Sequence, residues 1–131
     1  MTLHRLRVPL RFLVVGVLNT LIGLLAIYLG KWWLGLGDVL ANLFGYAIGL
    51  CFSFVVNRSW TFDHSGAVVP ALMRFLVVFA IAYALNLATV LVAIRVFGIN
   101  AYIAQALGIV PYTLFFFLGS RYYAFRAGPA R

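Results

Sequence analysis

Acidic residues are almost missing from this chain of 131 residues, which contains two aspartates and no glutamate. Charged residues of both signs make up 9% of the chain, against about 25% in a typical soluble domain. Proton-coupled membrane transporters usually carry a carboxylate or a histidine inside a spanning segment. Both aspartates, Asp38 and Asp63, lie outside the most apolar segments, which argues against a proton-coupled exporter of small cations.

Cysteine occurs once, as Cys51, so the chain can form neither an internal disulfide nor a thiolate metal site. A Walker A lysine motif is also missing, which disfavours nucleotide-driven transport. No pair of carboxylates is available to hold a metal and a sugar nucleotide, and a Ser-His-Asp set would have to meet across the membrane. We therefore expect a protein that is not an enzyme and that uses no cofactor and no metal.

Apolar sequence is abundant: 66% of the residues are hydrophobic and 17% aromatic, and the mean hydropathy is +1.09. Four uncharged runs stand out, at residues 12–30, 39–56, 75–94 and 101–119. Each is close to the roughly 20 residues that a helix needs to cross a bilayer, and only helices satisfy the backbone within such runs. The predicted fold class is an all-α membrane protein. It is one transmembrane domain over residues 1–131, with helices at about 11–33, 39–60, 74–96 and 101–123.

Short links join the first helix to the second and the third to the fourth, which predicts two antiparallel helical hairpins. The longer middle loop covers residues 63–73, and Pro70 is predicted to mark the loop before helix three. Lys31 and Arg95 lie at the hairpin turns. The opposite ends hold eight arginines: Arg5, Arg7, Arg11, Arg58, Arg74, Arg121, Arg126 and Arg131. This bias predicts that both termini are cytoplasmic. The basic residues form no run of the kind that binds nucleic acid.

The two halves of the chain repeat at an offset of 63 residues. Arg-Phe-Leu-Val-Val begins at Arg11 and again at Arg74, and the aromatic segment 58–62 corresponds to 121–125. Each half holds two helices, so both halves enter the membrane from the same side. The sequence therefore predicts a parallel internal repeat about an axis along the membrane normal, and not an inverted one.

Small and amide residues interrupt the apolar helices. One interpretation is helix packing, through closely approaching glycines and amide hydrogen bonds between helices. The other is a polar seam through which a headgroup passes, and the two are compatible because a seam forms where helices meet. The seam candidates are Asn19, Thr20, Asn42, Ser53, Asn86 and Gln105.

Arginine and aromatic residues are combined at the ends of helices two and four. They can anchor the chain at the interface, with arginine reaching the surface and the rings at headgroup level. They can also bind a phosphorylated headgroup, since guanidinium forks match phosphate oxygens and aromatic rings suit the faces of sugars. The candidate binding residues are Asn57, Arg58, Trp60, Phe62, Arg121, Tyr123 and Phe125. Lys31 and Arg95 share this ambiguity, and for them anchoring is favoured.

These motifs resemble those of the GtrA-like membrane proteins. Residues 11–16 fit the Arg-Phe-x-x-x-Gly opening of helix one, and residues 57–62 fit Asn-Arg-x-Trp-x-Phe at the end of helix two. An Arg-Phe pair opens helix three at Arg74, and an aromatic Arg-x-x-x-Phe end closes helix four. The resemblance covers Arg11 to Phe125. At the second site the chain departs from the family pattern, in which helix four often ends in Asn-Phe-x-x-x-Arg, because Phe117 and Gly119 stand before Arg121 here.

The resemblance implies that the protein flips a polyprenyl-phosphate-linked sugar to the outer leaflet for cell-surface polysaccharide synthesis. It implies the cytoplasmic (inner) membrane of a bacterium, with the polyprenyl-phosphoryl sugar and membrane lipids as partners. The alternative is a non-transporting subunit that recruits or stabilises a membrane glycosyltransferase. We also expect a homo-oligomer, because four helices leave little room for a sugar-wide pathway, and downhill movement, because no coupling group is visible.

Overall fold

The computed structural model describes residues 3–126, and four long helices make up most of them. These are α1 (Leu3–Trp32), α2 (Asp38–Val56), α3 (Val68–Arg95) and α4 (Ala101–Gly119). Helices α2 and α4 continue directly into π-helical segments, Asn57–Thr61 and Ser120–Ala124. All four helices are long and apolar enough to cross a membrane, and no strand occurs among residues 3–126. The prediction of an all-α, multi-pass membrane protein is thereby confirmed.

The chain divides into two compact units, Met1–Asp63 and His64–Arg131. In the first unit α1 packs along α2, and in the second α3 packs along α4. Each unit is therefore one of the two predicted helical hairpins. Arg131, which was counted in the basic bias, lies outside the described residues.

Two helices begin earlier than the sequence indicated. Helix α1 begins at Leu3 and contains Pro9, which cannot donate the backbone hydrogen bond of its position. Helix α3 begins at Val68, so Pro70 lies inside its first turn, and the prediction that Pro70 marks the preceding loop was wrong. Proline is tolerated there because the first N–H groups of a helix have no intrahelical acceptor.

The two hairpin turns have the same geometry at the 63-residue offset. Gly35 and Gly98 adopt the left-handed conformation, with φ of 66° and 63°. The N–H of Leu36 donates to the Gly30 carbonyl at 3.0 Å, and the N–H of Ile99 donates to the Ala93 carbonyl at 2.9 Å. Each bond spans six residues and closes the helix end around a left-handed glycine, a conformation in which many helices end. Glycine takes the left-handed position because it has no Cβ to clash.

Each hairpin also has a close helix crossing at a glycine of its second helix. A Cβ added to Gly45 would lie 2.7 Å from the carbonyl oxygen of Gly23 on α1. A Cβ added to Gly108 would lie 2.7 Å from Nδ2 of Asn86 on α3. Because position 23 corresponds to position 86 in the repeat, the same crossing is built twice, and in both cases a small residue permits it.

Candidate functional site

A π-helical turn ends each hairpin. In the first, the N–H of Phe62 donates to the Asn57 carbonyl at 2.9 Å, and in the second, the N–H of Phe125 donates to the Ser120 carbonyl at 2.8 Å. Each bond spans five residues where an α-helix spans four. Such turns are rare and are frequently found at functional sites. Their positions coincide with the two predicted headgroup sites.

An arginine from the first helix of each hairpin holds the end of the π segment. Nη1 of Arg11 donates to the Trp60 carbonyl at 2.9 Å. Arg74 donates from Nε to the Tyr123 carbonyl at 3.0 Å, and from Nη2 and Nε to the Ala124 carbonyl at 3.0 and 3.2 Å. The last carbonyls of a helix lack intrahelical donors and form the negative end of its dipole. A guanidinium supplies both the missing donors and the opposite charge.

The internal repeat points to these two arginines. Arg11 and Arg74 begin the repeated Arg-Phe block, yet neither was counted as a site residue. Their carbonyl acceptors lie about 50 positions further along the chain, so no local spacing connects donor and acceptor. The repeat itself was the available clue, because it preserved the arginine and the aromatic end together.

A buried chain of hydrogen bonds, here called the polar ladder, joins Ser53, Asn57 and Thr61 in the first hairpin. Nδ2 of Asn57 donates to Oγ of Ser53 at 3.0 Å, and Oγ1 of Thr61 donates to Oδ1 of Asn57 at 2.7 Å. Asn57 is only 1% exposed. The geometry therefore favours a structural role for Asn57, a predicted headgroup residue, and for Ser53, a predicted seam residue. Both stabilise the π segment from inside.

The surface of the first π segment combines a cation with an aromatic ring. Arg58, its second residue, is half-buried, and Trp60 is exposed. The Cζ atom of Arg11 lies 4.8 Å from the centroid of the Trp60 ring, within the range of a cation–π contact. Phe62 packs inward, with its ring centroid 6.2 Å from that of Phe12. Arg11, Arg58 and Trp60 therefore form the accessible part of this site.

The second π segment presents a similar surface. Arg121 is exposed, and its Cζ atom lies 5.4 Å from the centroid of the Tyr122 ring. Tyr123 is also exposed, and the Cζ atom of Arg126 lies 6.0 Å from the centroid of its ring. Cation–π pairs thus occur at both predicted headgroup sites, each within its own hairpin.

A cluster of phenylalanines lies beneath the second π segment, where the first hairpin has its polar ladder. The ring centroid of Phe75 lies 5.2 Å from that of Phe116 and 5.7 Å from that of Phe125. All three side chains are buried, and we call them the aromatic cluster. His64 packs edge-on against Phe125, with the centroids 5.7 Å apart. Phe125, a predicted headgroup residue, is therefore part of the packed interior.

The six seam candidates divide into two groups. The hydroxyl of Thr20 donates to the Gly16 carbonyl at 3.0 Å, and Ser53 belongs to the polar ladder. The other four are amides with no hydrogen-bond partner among residues 3–126: Asn19, Asn42, Asn86 and Gln105. Their hydrogen-bonding groups are therefore unused within residues 3–126, and an unpaired amide is costly in an apolar environment.

The positions of these amides follow the hairpin geometry. Asn19 and Asn86 are half-buried and face glycines of the second helix of their hairpins, Gly49 and Gly108. Asn42 and Gln105 are equivalent in the repeat, and both are exposed. The two exposed amides lie one helical turn from the hairpin-turn ends of α2 and α4. Amides are thus available both at the helix crossings and near the hairpin turns.

The hairpin turns differ in charge. Lys31 and Asp38 form an ion pair across the first turn, with Nζ and Oδ1 2.5 Å apart and both side chains exposed. At the second turn, Oδ1 of Asn100 accepts a hydrogen bond from the N–H of Tyr102 at 2.8 Å and caps α4. Within residues 3–126, no group of three or more metal-ligating side chains is close enough to hold a metal ion.

Comparison with known proteins gives one family. A model described as GtrA/DPMS, transmembrane domain, matches residues 11–125, and no curated protein matches the chain. The match begins at Arg11 and ends at Phe125, so it includes both π segments and the two arginines that hold them. The resemblance to the GtrA-like proteins is thereby confirmed.

Proposed function

Since this chain belongs to the GtrA/DPMS transmembrane-domain family, we propose that it flips a polyprenyl-phosphate-linked sugar across the cytoplasmic membrane of a bacterium. Family membership supports the broader role, which is the handling of a lipid-linked sugar. The flipping step is the finer proposal, and it rests on the side chains that the two hairpins offer to such a lipid.

Four unpaired amides within otherwise apolar spans carry the proposal: Asn19, Asn42, Asn86 and Gln105. An amide both donates and accepts hydrogen bonds, as the hydroxyl groups of a sugar do. A sugar that leaves water loses its hydrogen bonds, and the loss is offset only if the pathway supplies new ones. The amides supply them in both hairpins, while the polyprenyl tail remains in lipid.

Capture of the phosphate is assigned to the π segments. Arg58 and Arg121 occupy equivalent positions there, and charge-assisted hydrogen bonds from arginine to phosphate are among the stronger ones in proteins. The proposal includes cytoplasmic termini, which follow from the arginine bias, and a homo-oligomer as the working form. The sequence places no carboxylate in the middle of a span, which supports downhill movement driven by consumption of the sugar outside.

The test uses purified protein in liposomes and the flux of a labelled polyprenyl-phosphoryl sugar. The double variant Asn42→Leu with Gln105→Leu removes both exposed amides at similar side-chain volume. If each amide contributes one hydrogen bond of about 0.5–1.5 kcal/mol, we expect the flux to fall by about 5- to 150-fold. The matched control is Thr20→Val, which removes a hydroxyl already bonded within its own helix and should keep most of the flux.

Unchanged flux in the double variant would remove the amides from the pathway. Absence of flux with the wild-type protein would contradict flipping itself. The alternative, a non-transporting subunit, would be favoured if the wild-type protein supported sugar transfer only when a membrane glycosyltransferase is added.

A further inference from the structure

One guanidinium in the first hairpin is fixed in place and yet keeps part of its donor set open. Nη1 of Arg11 donates to the Trp60 carbonyl at 2.9 Å, and its Cζ atom lies 4.8 Å from the centroid of the Trp60 ring. Among residues 3–126, Nε and Nη2 of Arg11 have no hydrogen-bond partner. Arg11 is half-buried, and Nε and Nη2 are not among the fully buried polar atoms that lack a partner, so this edge is partly open to the surface.

The equivalent arginine of the second hairpin uses this same edge internally. Arg74 donates from Nε to the Tyr123 carbonyl at 3.0 Å and from Nη2 to the Ala124 carbonyl at 3.0 Å. A second, longer contact from Nε to the Ala124 carbonyl measures 3.2 Å. The repeat therefore preserves the hold on the helix end in both hairpins, but it leaves the donor edge open in the first hairpin alone.

We propose that Arg11 binds phosphate through its Nε–Nη2 edge, whereas Arg74 is a positioning residue that holds the second π segment. The ligand class is a phosphate monoester or diester at the membrane surface, and its assignment to a lipid-linked sugar rests on the proposed function. The Nε–Nη2 edge presents two parallel N–H groups, which match two non-bridging phosphate oxygens. The ring of Trp60, which is exposed, lies against the face of this guanidinium.

Two physical effects favour phosphate at Arg11. Its guanidinium is already held by the Trp60 carbonyl and ring, so less side-chain freedom is lost when a ligand binds. The carbonyl end of a helix normally repels anions through the helix dipole. Because Arg11 covers the Trp60 carbonyl, the cation that binds the phosphate also reduces this repulsion.

The experiment compares binding of polyprenyl phosphate and of polyprenol, which lacks the phosphate, to the full chain in nanodiscs of neutral lipid. The variants are Arg11→Lys and the matched Arg74→Lys, with thermal unfolding measured for each. The wild type should prefer the phosphate over the alcohol by at least about 10-fold, as a charged hydrogen bond predicts. Arg11→Lys keeps the charge but loses the two parallel N–H groups, so it should lower this preference severalfold and unfold close to the wild-type temperature. Arg74→Lys should keep the preference within about twofold and unfold at a lower temperature, since it loses hydrogen bonds to two carbonyls.

Arg11→Gln carries a neutral amide in place of the guanidinium, and it should lower the preference further than Arg11→Lys does. The assignment would be overturned if both Arg11 variants kept the full preference for phosphate. It would also be overturned if Arg11→Lys and Arg74→Lys lost equal preference, or if the wild type showed none. Addition of inorganic phosphate separates the sources. If inorganic phosphate displaces the lipid, the site recognises the phosphate group alone. If it does not displace the lipid, the site recognises the phosphate as part of the lipid.

Flux in liposomes separates this inference from the proposed function. If the protein moves no lipid but still prefers polyprenyl phosphate over polyprenol through Arg11, the phosphate site would be supported and flipping contradicted. Normal flux in Arg11→Lys with an unchanged dependence on lipid concentration would contradict the role of Arg11 and leave flipping intact.

Discussion

The two hairpins have the same backbone geometry at their turns, crossings and π segments, but they stabilise it with different chemistry. Beneath the first π segment the polar ladder accompanies a single ring contact, between Phe12 and Phe62, and beneath the second lies the larger aromatic cluster. Positions 53, 57 and 61 carry Ser, Asn and Thr, whereas the equivalent positions 116, 120 and 124 carry Phe, Ser and Ala. A π turn can therefore be held by hydrogen bonds between side chains or by ring packing. A single side-chain pattern does not define it.

The largest effect is expected from removing the centre of the aromatic cluster. Phe75 is fully buried, and Phe75→Ala would leave a cavity between Phe116 and Phe125. Losses of about 3–5 kcal/mol are typical for such a change. The matched variant Phe12→Ala, at a side chain that is 8% exposed, should lose less because the polar ladder still holds the first π segment. The free energy of unfolding in lipid–detergent micelles is measured for both variants. Equal losses would contradict the difference between the two hairpins.

A smaller effect is expected at the accessible arginines, and it concerns transport. A charged hydrogen bond to phosphate contributes about 1.5–3 kcal/mol, or about 10- to 150-fold in affinity. Arg58→Ala should lower the apparent affinity for the polyprenyl-phosphoryl sugar within this range, and Arg58→Lys should lower it less because the charge remains. Arg121→Ala should have the weaker effect, since Arg121 is more exposed than the half-buried Arg58.

The measurement is flux in liposomes over a series of lipid concentrations, with protein yield and oligomer size determined for each variant. Arg95→Ala, at the hairpin-turn end of α3, is the control for a change of charge and should leave the affinity unchanged. Unaltered affinity in Arg58→Ala would reduce Arg58 to an interfacial anchor.

The smallest effect should separate the two equivalent polar positions. Asn57→Ala breaks both bonds of the polar ladder and leaves Ser53 and Thr61 without this partner, at a cost of about 1–3 kcal/mol. The equivalent Ser120 is fully buried, and its hydroxyl has no hydrogen-bond partner within residues 3–126. Ser120→Ala should therefore leave the free energy of unfolding unchanged or raise it. If Ser120→Ala lowered the free energy of unfolding as much as Asn57→Ala does, the two positions would contribute equally to stability.

Composition and hydropathy were sufficient to predict the four spans, and loop lengths were sufficient to pair them into hairpins. Helix starts were harder to predict because the first residues of a helix need no intrahelical acceptor. For that reason, Pro70 is compatible with the first turn of α3 as well as with a loop. The start of α1 at Leu3 was missed for another reason. Residues 3–11 include His4, Arg5, Arg7 and Arg11, so this segment looks unlike a membrane span.

Some predicted headgroup residues lie at the surface, others lie in the interior, and the arginines that hold the π segments were not predicted. Arg58, Trp60 and Arg121 lie at the surface of the π segments, as arginine and aromatic residues at a helix end suggest. Asn57 proved to be an internal partner of Ser53 and Thr61, because its spacing of four residues from each lets it bond along its own helix. The contact between Arg11 and Trp60 depends on how α1 and α2 pack, which no local pattern encodes.

The wide turn at the end of each hairpin also has a consequence in terms of descent. A bond that spans five residues corresponds to one residue more than the regular helix requires. Both hairpins carry this additional residue at equivalent positions, 63 residues apart. One insertion in an ancestral hairpin, followed by duplication of its gene, requires fewer events than two separate insertions. On this history the wide turn is older than the four-helix chain, and the polar ladder and aromatic cluster record how the two copies diverged afterwards.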